Sequence, residues 1–154
     1  MALLLAPLIL FVVLRGVGRL GVKSLSTWRG AGRTTLAAMF AFAGVAHFTP
    51  VKHDMAAMIP APLPRGLWVI YLTGVLEIAG AVGLLIPRLR RPAAACLAVL
   101  LLVMLPANVN AALSGMTLRG QPATPLWLRV PLQFFWIAAL WWTSIRRDEK
   151  GESL

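Results

Sequence analysis

Four stretches of this chain, 34–49, 67–87, 92–113 and 125–144, are nearly unbroken apolar sequence. Three of them reach the ~20 residues a helix needs to cross the hydrocarbon of a bilayer, and the first falls slightly short. Backbone N–H and C=O groups in hydrocarbon must be satisfied inside the protein, which leaves helices or closed barrels. No alternating barrel-strand pattern is present, so the expectation is all-α: a transmembrane four-helix bundle core. Pro50, Pro60, Pro62, Pro64, Pro92 and Pro125 fall at the ends of the runs, where prolines start or stop helices. Composition agrees, with 59% hydrophobic and 13% charged residues, against roughly 45–50% and 25% in a soluble domain. The mean hydropathy is +0.79.

A fifth apolar run, ALLLAPLILFVVL at 2–14, is an additional N-terminal hydrophobic segment and a possible fifth span. Its basic residues, Arg15, Arg19 and Lys23, follow it, unlike those of a signal peptide. Two readings stay open: an uncleaved anchor extended to Leu20 with Arg15 and Arg19 snorkelling, or an interfacial helix. The chain thus divides into 1–28 (hydrophobic segment and basic linker), 29–145 (four-helix membrane domain) and a tail, 146–154.

The net charge of +10 would suggest nucleic acid in a soluble protein, but here the basic residues are distributed between apolar runs. Alternating topology puts Arg15, Arg19, Lys23, Arg29, Arg33, Arg88, Arg90, Arg91, Arg146, Arg147 and Lys150 on one side, and only Lys52, Arg65, Arg119 and Arg129 on the other. The positive-inside rule then places the C-terminus in the cytoplasm, the loops 50–66 and 114–124 outside, and the N-terminus outside if 2–20 spans. The single cysteine, Cys96, rules out an internal disulfide or CxxC redox pair and is expected to be a buried thiol.

Ionisable and amide side chains within apolar runs are expensive and are read as candidate site residues. Glu77 lies mid-span, with Thr73, Gly74, Gly80 and Ala81 within about 60° of it at 100° per residue, while Val75, Val82 and Ile86 fall on the far side. Its small, polar face is expected to point inward. Glu77 either moves protons and holds a ligand, or glues helices together. His47 ends the first core run, by the rise per residue about 10 Å shallower than Glu77. It is either part of the same site or an interfacial residue. His53 belongs to the outer loop, and two histidines without further ligands make no metal site.

Asn108 and Asn110, in PANVN, differ by 200° and cannot face one partner, and Pro106 leaves the carbonyl four residues before it without its helix donor. Arg129 and Gln133 form an i,i+4 pair on one face with Trp136. Arg129 either snorkels outward or serves as a cationic partner for Glu77. These groups occupy the middle and outer parts of the spans, which suggests a cavity opening to the outer side. No Walker motif, GxGxxG turn, nucleophile elbow or HExxH is present.

The runs FAFAGVAHF, GVLEIAGAVGLLIPRLRR, PANVNAAL and LRVPLQ occur in this order and together resemble the DoxX family of small bacterial membrane proteins, over about 33–143. The resemblance implies a four-helix core in the bacterial cytoplasmic membrane and an association with redox systems. The family takes its name from a subunit linked to thiosulfate oxidation with quinone as acceptor. The family-like positions are Gly44, His47, Phe48, Gly74, Glu77, Gly80, Gly83, Pro106 and Asn108, and they imply a shared site more than a set chemistry.

The leading expectation is a protein that binds a quinone or similar lipid-soluble molecule in an outer-facing pocket. Glu77 and His47 would manage protons as the catalytic pair, with Asn108, Gln133, Arg129 and Thr73 binding the ligand. No intrinsic cofactor or metal is expected, and redox work would depend on the quinone or a partner protein. A non-catalytic assembly protein is the alternative, and an isomerase-like enzyme acting on a lipid-soluble substrate a lesser one.

Overall fold

The computed structural model describes residues 2–118, 120–122 and 124–146. Among these residues six α-helices run in the order α1 (Ala2–Arg19), α2 (Trp28–Ala46), α3 (Lys52–Ala57), α4 (Leu67–Leu85), α5 (Arg90–Leu113) and α6 (Leu126–Leu140). A π-helical turn, Trp141–Ile145, continues α6, and a two-residue antiparallel hairpin, Thr117–Leu118 with Gln121–Pro122, ties the α5–α6 connection. The chain is therefore all-α in class. Of the expected tail 146–154, residues 147–154 lie outside the described residues, as does Arg119.

α2 starts at Trp28, six residues before the apolar run it carries. Thr27 supplies the reason: its hydroxyl accepts from the Gly30 amide at 3.0 Å, satisfying one of the first-turn donors that a helix leaves unpaired. The early start carries Arg29 and Arg33 on the helix. Arg33 Nη2 donates to the Thr143 carbonyl at 2.9 Å, and Arg29 Nη1 reaches the Arg146 carbonyl at 3.5 Å, so the start of α2 is fastened to the end of α6.

α1 is one continuous helix through Pro7, with 18 residues and so about 27 Å long. It is docked on the rest. The Phe11 and Trp28 rings lie 5.6 Å apart, and Arg15 sits over the Trp28 ring at 4.9 Å. Arg15, which snorkels outward in one of the two readings of this segment, donates to the Leu25 carbonyl at 3.2 Å and to the Ser26 carbonyl, where the chain reverses between α1 and α2. Those carbonyls close the turn without helix partners and a guanidinium satisfies two of them together.

The buried core is made by α2, α4, α5 and α6. Leu36, Ala37 and Phe40 pack with Ala81 and Leu84, Ala94 and Leu97, and Leu140. Small residues set the helix separations there: a Cβ at Gly80 would stand 2.6 Å from Leu97 Cγ, and one at Gly83 would stand 2.7 Å from Ala93 Cβ. α4 and α5 are consequently pressed together over Gly80–Gly83 and Ala93–Leu97.

Outside this core the helices present oil. Phe42, Val75, Val82, Val99, Val103, Phe134 and Phe135 are all exposed. α4 and α5 are long and apolar enough to cross a membrane, with mean hydropathies of 1.8 and 2.1. Cys96 is exposed as well, against the expectation of a buried thiol, because it lies on the outward side of α5 while Ala94 and Leu97 take the inward one.

Candidate functional site

The tightest helix crossing in the upper half of the fold creates the first part of the site. A Cβ at Gly74 would stand 2.6 Å from the His47 Cβ and 3.0 Å from the Gly44 carbonyl, and one at Gly44 would stand 2.9 Å from the Gly74 carbonyl. Only glycine at both positions lets the α2 and α4 backbones meet this closely. The crossing puts His47, the C-cap residue of α2, directly over the turn of α4 that carries Glu77. Both side chains are buried, with the residues 3% and 4% exposed, and His47 Nδ1 stands 3.4 Å from Glu77 Oε2.

The depth difference read from the sequence is thereby corrected. Treating the outer ends of α2 and α4 as level separates His47 from Glu77 by about 10 Å, but α2 ends opposite Gly74, seven residues into the run of α4. Leu67–Thr73 overhang the end of α2, and the segment 48–66 folds back to cover them. That segment is no plain outer loop, since it forms α3 and buries Met58 and Ile59. His53 stays exposed on α3, as expected.

Hydrogen bonding fixes one proton of the pair. His47 Nδ1 lies 2.9 Å from the Ala43 carbonyl, and a carbonyl only accepts, so Nδ1 carries hydrogen and Nε2 is the nitrogen left for other work. Glu77 Oε2 has no hydrogen-bond partner among the described residues. A buried carboxyl with one oxygen unsatisfied beside an imidazole is an arrangement that can hold or pass a proton, and it is also one that costs stability.

Beyond His47 lies a half-open cavity of about 590 Å³, within the range of small-molecule sites. Its walls come from α4, α5, the end of α2 and the 51–64 segment, and they are nearly all apolar. Among the described residues, His47, Thr73, Asn108 and Arg129 are its polar lining. Thr73 spends its hydroxyl hydrogen on the Ile70 carbonyl at 2.9 Å, leaving its lone pairs to the cavity. The cavity is lined by α4 as far as Leu76 and by α5 from Leu100, beyond the close contacts that the two helices make at Gly80 and Gly83.

Asn108 and Arg129 belong to a polar chain between α5 and α6. Arg129 Nη2 donates to Asn108 Oδ1, Asn108 Nδ2 donates to Gln133 Oε1 at 3.4 Å, and Gln133 Nε2 donates to the Leu101 carbonyl. The carbonyl used is Leu101's, one position before the one that Pro106 deprives of its donor. Asn110 faces elsewhere, as its 200° offset requires, and donates to the Met58 carbonyl at 2.9 Å, pinning the end of α3 to α5. Arg129 engages Asn108 and not Glu77, whose neighbour is His47.

Of the six expected site residues, four line the cavity, while Glu77 stands behind His47 and Gln133 behind Asn108. The residues that sequence reading missed are apolar: Met55, Met58, Trp68 and Met104 shape the walls. The 51–64 segment did carry a signal, since its methionines and isoleucine are more apolar than an exposed loop requires. Among the described residues no three His, Cys, Asp or Glu side chains gather to hold a metal.

The chain belongs to a family described as a domain of unknown function, DUF8561, whose family model matches residues 36–144, from within α2 into the turn after α6. No curated protein and no solved structure matches it.

Proposed function

We propose that the chain is a multi-pass membrane protein of the DoxX type. In this reading α2, α4, α5 and α6 form a four-helix membrane core with α1 as a fifth span, in the bacterial cytoplasmic membrane. The cavity beside His47 and Arg129 holds a quinone or similar lipid-soluble molecule. Three observations support the membrane part: the outward-facing apolar side chains, the length and apolarity of α4 and α5, and the charge distribution. Arg29, Arg33 and Arg146 gather at the end opposite the cavity, which under the positive-inside rule is the cytoplasmic end. The cavity then faces the outer side.

The observation that carries the functional part is the cavity itself: apolar walls interrupted by His47, Thr73, Asn108 and Arg129. Apolar walls suit a ring and an isoprenoid or acyl tail, and the guanidinium and imidazole suit carbonyl or hydroxyl oxygens, so the residues fit a quinone head. A bound quinone would supply electron-carrying chemistry that no side chain here provides. This chain's own residues would orient the head through Arg129, exclude water through Met55 and Met58, and hold a proton at His47 with Glu77 behind it.

Extraction of gently purified protein, followed by mass spectrometry of the organic phase, tests the reading. One stoichiometric lipophile, lost when Met104→Trp fills the cavity, is the expected result; protein that purifies without one, and binds no added quinone, overturns it. The second reading, a non-catalytic assembly protein, is favoured by the chain Arg129–Asn108–Gln133–Leu101, which ties α6 to α5. It predicts that Gln133→Leu lowers stability or partner recovery with no ligand to lose.

A further inference from the structure

We infer that the cavity's occupant is a membrane-resident amphiphile with one anionic head, a fatty-acid-like carboxylate in the simplest case, seated on Arg129 with its tail running inward between α4 and α5. The inference rests on the reading of the cavity as a lipophile site and, within it, selects an anionic lipophile over a neutral quinone.

Arg129 is half-buried in a wall that is otherwise almost free of charge. A guanidinium stays charged under any condition the protein meets, and a charge removed from water is costly unless it is paired. Among the described residues its one side-chain partner is the neutral amide of Asn108. Among the described residues no carboxylate pairs with it, since Glu77 is turned to His47 on the other side of the α2–α4 crossing. Asn108 holds one arm of the fork, and the cavity lies open beside the rest. A single negative charge in the cavity would complete the pair and take two parallel hydrogen bonds, the geometry in which guanidinium and carboxylate match best.

The geometry also sets which way the ligand lies. Arg129 is in the first turn of α6, and Asn108 is five residues before the end of α5, about 7.5 Å below it. From Asn108 the wall continues along α5 to Leu100, about 12 Å deeper. Leu72, Leu76 and Val103 line the cavity and yet are 49%, 47% and 65% exposed, so the space opens sideways between α4 and α5. A molecule already dissolved in the bilayer, head near the surface and tail toward the centre, meets this slot in the orientation it needs.

The test uses full-length protein in phosphatidylcholine nanodiscs, with oleate, oleyl alcohol and decylubiquinone competing at equal concentration and bound species read by native mass spectrometry. Oleate is expected to exceed the isosteric alcohol and the quinone by at least about tenfold, the usual worth of one charge-assisted bond. Arg129→Gln should bring the oleate-to-alcohol ratio to within about twofold, and Arg129→Lys should retain most of it. Should Arg129→Gln fold poorly, Asn108→Asp keeps the arginine, supplies the missing counter-charge within the wall, and should abolish the preference equally. Alcohol or quinone binding as tightly as oleate, or an unchanged preference in these variants, overturns the anionic head while leaving the lipophile site intact. Failure of all three probes to bind, or binding of all three that is indifferent to Met104→Trp, overturns the site itself.

Discussion

Asn110→Ala tests whether the 50–66 segment is held over the cavity by a specific bond or merely by grease. Asn110 Nδ2 donates to the Met58 carbonyl at 2.9 Å, across 52 positions of sequence, and Met58 is buried. Truncation removes the donor and leaves that carbonyl without a partner. Interhelical hydrogen bonds in membrane proteins are worth about 0.6 kcal/mol and at most ~1.7, and a stranded buried acceptor adds up to ~1–3 kcal/mol. A local destabilisation of about 1–2 kcal/mol is therefore expected. It raises the open population of the segment about 5- to 30-fold. The amides of Met58 and Ile59, which donate to Asp54 and Ala56 at 3.2 and 3.3 Å, report the opening directly. Hydrogen–deuterium exchange in nanodiscs should show them exchanging faster by that factor, while amides of α4 around Gly74–Ala81, outside the opened unit, keep their protection. Unchanged exchange at Met58 and Ile59 would refute the reasoning and leave the burial of the Met58 and Ile59 side chains and the contacts of Phe48 and Lys52 with Tyr71 to fasten the segment.

Gly74→Leu should force α2 and α4 apart, because even its Cβ would stand 2.6 Å from the His47 Cβ; overpacking of this kind costs about 1–3 kcal/mol, visible as a lower thermal midpoint, and an unaltered midpoint would refute the close crossing. Leu97→Ala, in the core against Gly80 at 1% exposure, should cost about 2–5 kcal/mol in the same assay, and a cost below 1 would show that α4 and α5 are not packed there. Cys96 should react with a lipid-soluble maleimide in mild detergent without denaturant, since it is exposed on α5; resistance until unfolding would contradict its outward placement. His47→Ala and Glu77→Gln should be non-additive in stability by about 0.5–3 kcal/mol, given the 3.4 Å approach of Nδ1 and Oε2, and additive effects would mean that the two do not act together.

What was legible in the sequence was most of what one helix decides for itself, with Cys96 on the outward side of α5 the exception. The period of α4 puts Gly74, Glu77, Gly80 and Ala81 on one side and Val75, Val82 and Ile86 on the other, and the first set is buried while the second is exposed. The two-residue spacing of Asn108 and Asn110 sends them to different neighbours for the same reason, and the i,i+4 spacing of Arg129 and Gln133 lets both reach Asn108. In each case the answer depends on rotation about a single axis, which the sequence order of polar and apolar residues encodes directly.

Relations between helices were less legible, because they depend on how far one element slides along another. Nothing in the pattern of α2 alone says that its last turn stops opposite Gly74; that offset is set by two glycines, Gly44 and Gly74, meeting across the interface. The offset has two consequences that no local reading contains. It brings His47 down to Glu77, and it leaves two turns of α4 uncovered, so that the proline-punctuated stretch after His47 must fold inward and bury Met58 and Ile59. The same slide explains why the site is built in pairs. Where α2 and α4 touch, His47 has Glu77 at its back; where α5 and α6 touch, Asn108 has Gln133 at its back; and the cavity is the wedge left between these two contacts once Gly80 and Gly83 have closed its lower end. Arg129 is the polar residue of the wedge with a full charge and, among the described residues, only a neutral amide to face, which makes it, more than Glu77, the residue whose replacement tells what the wedge is for.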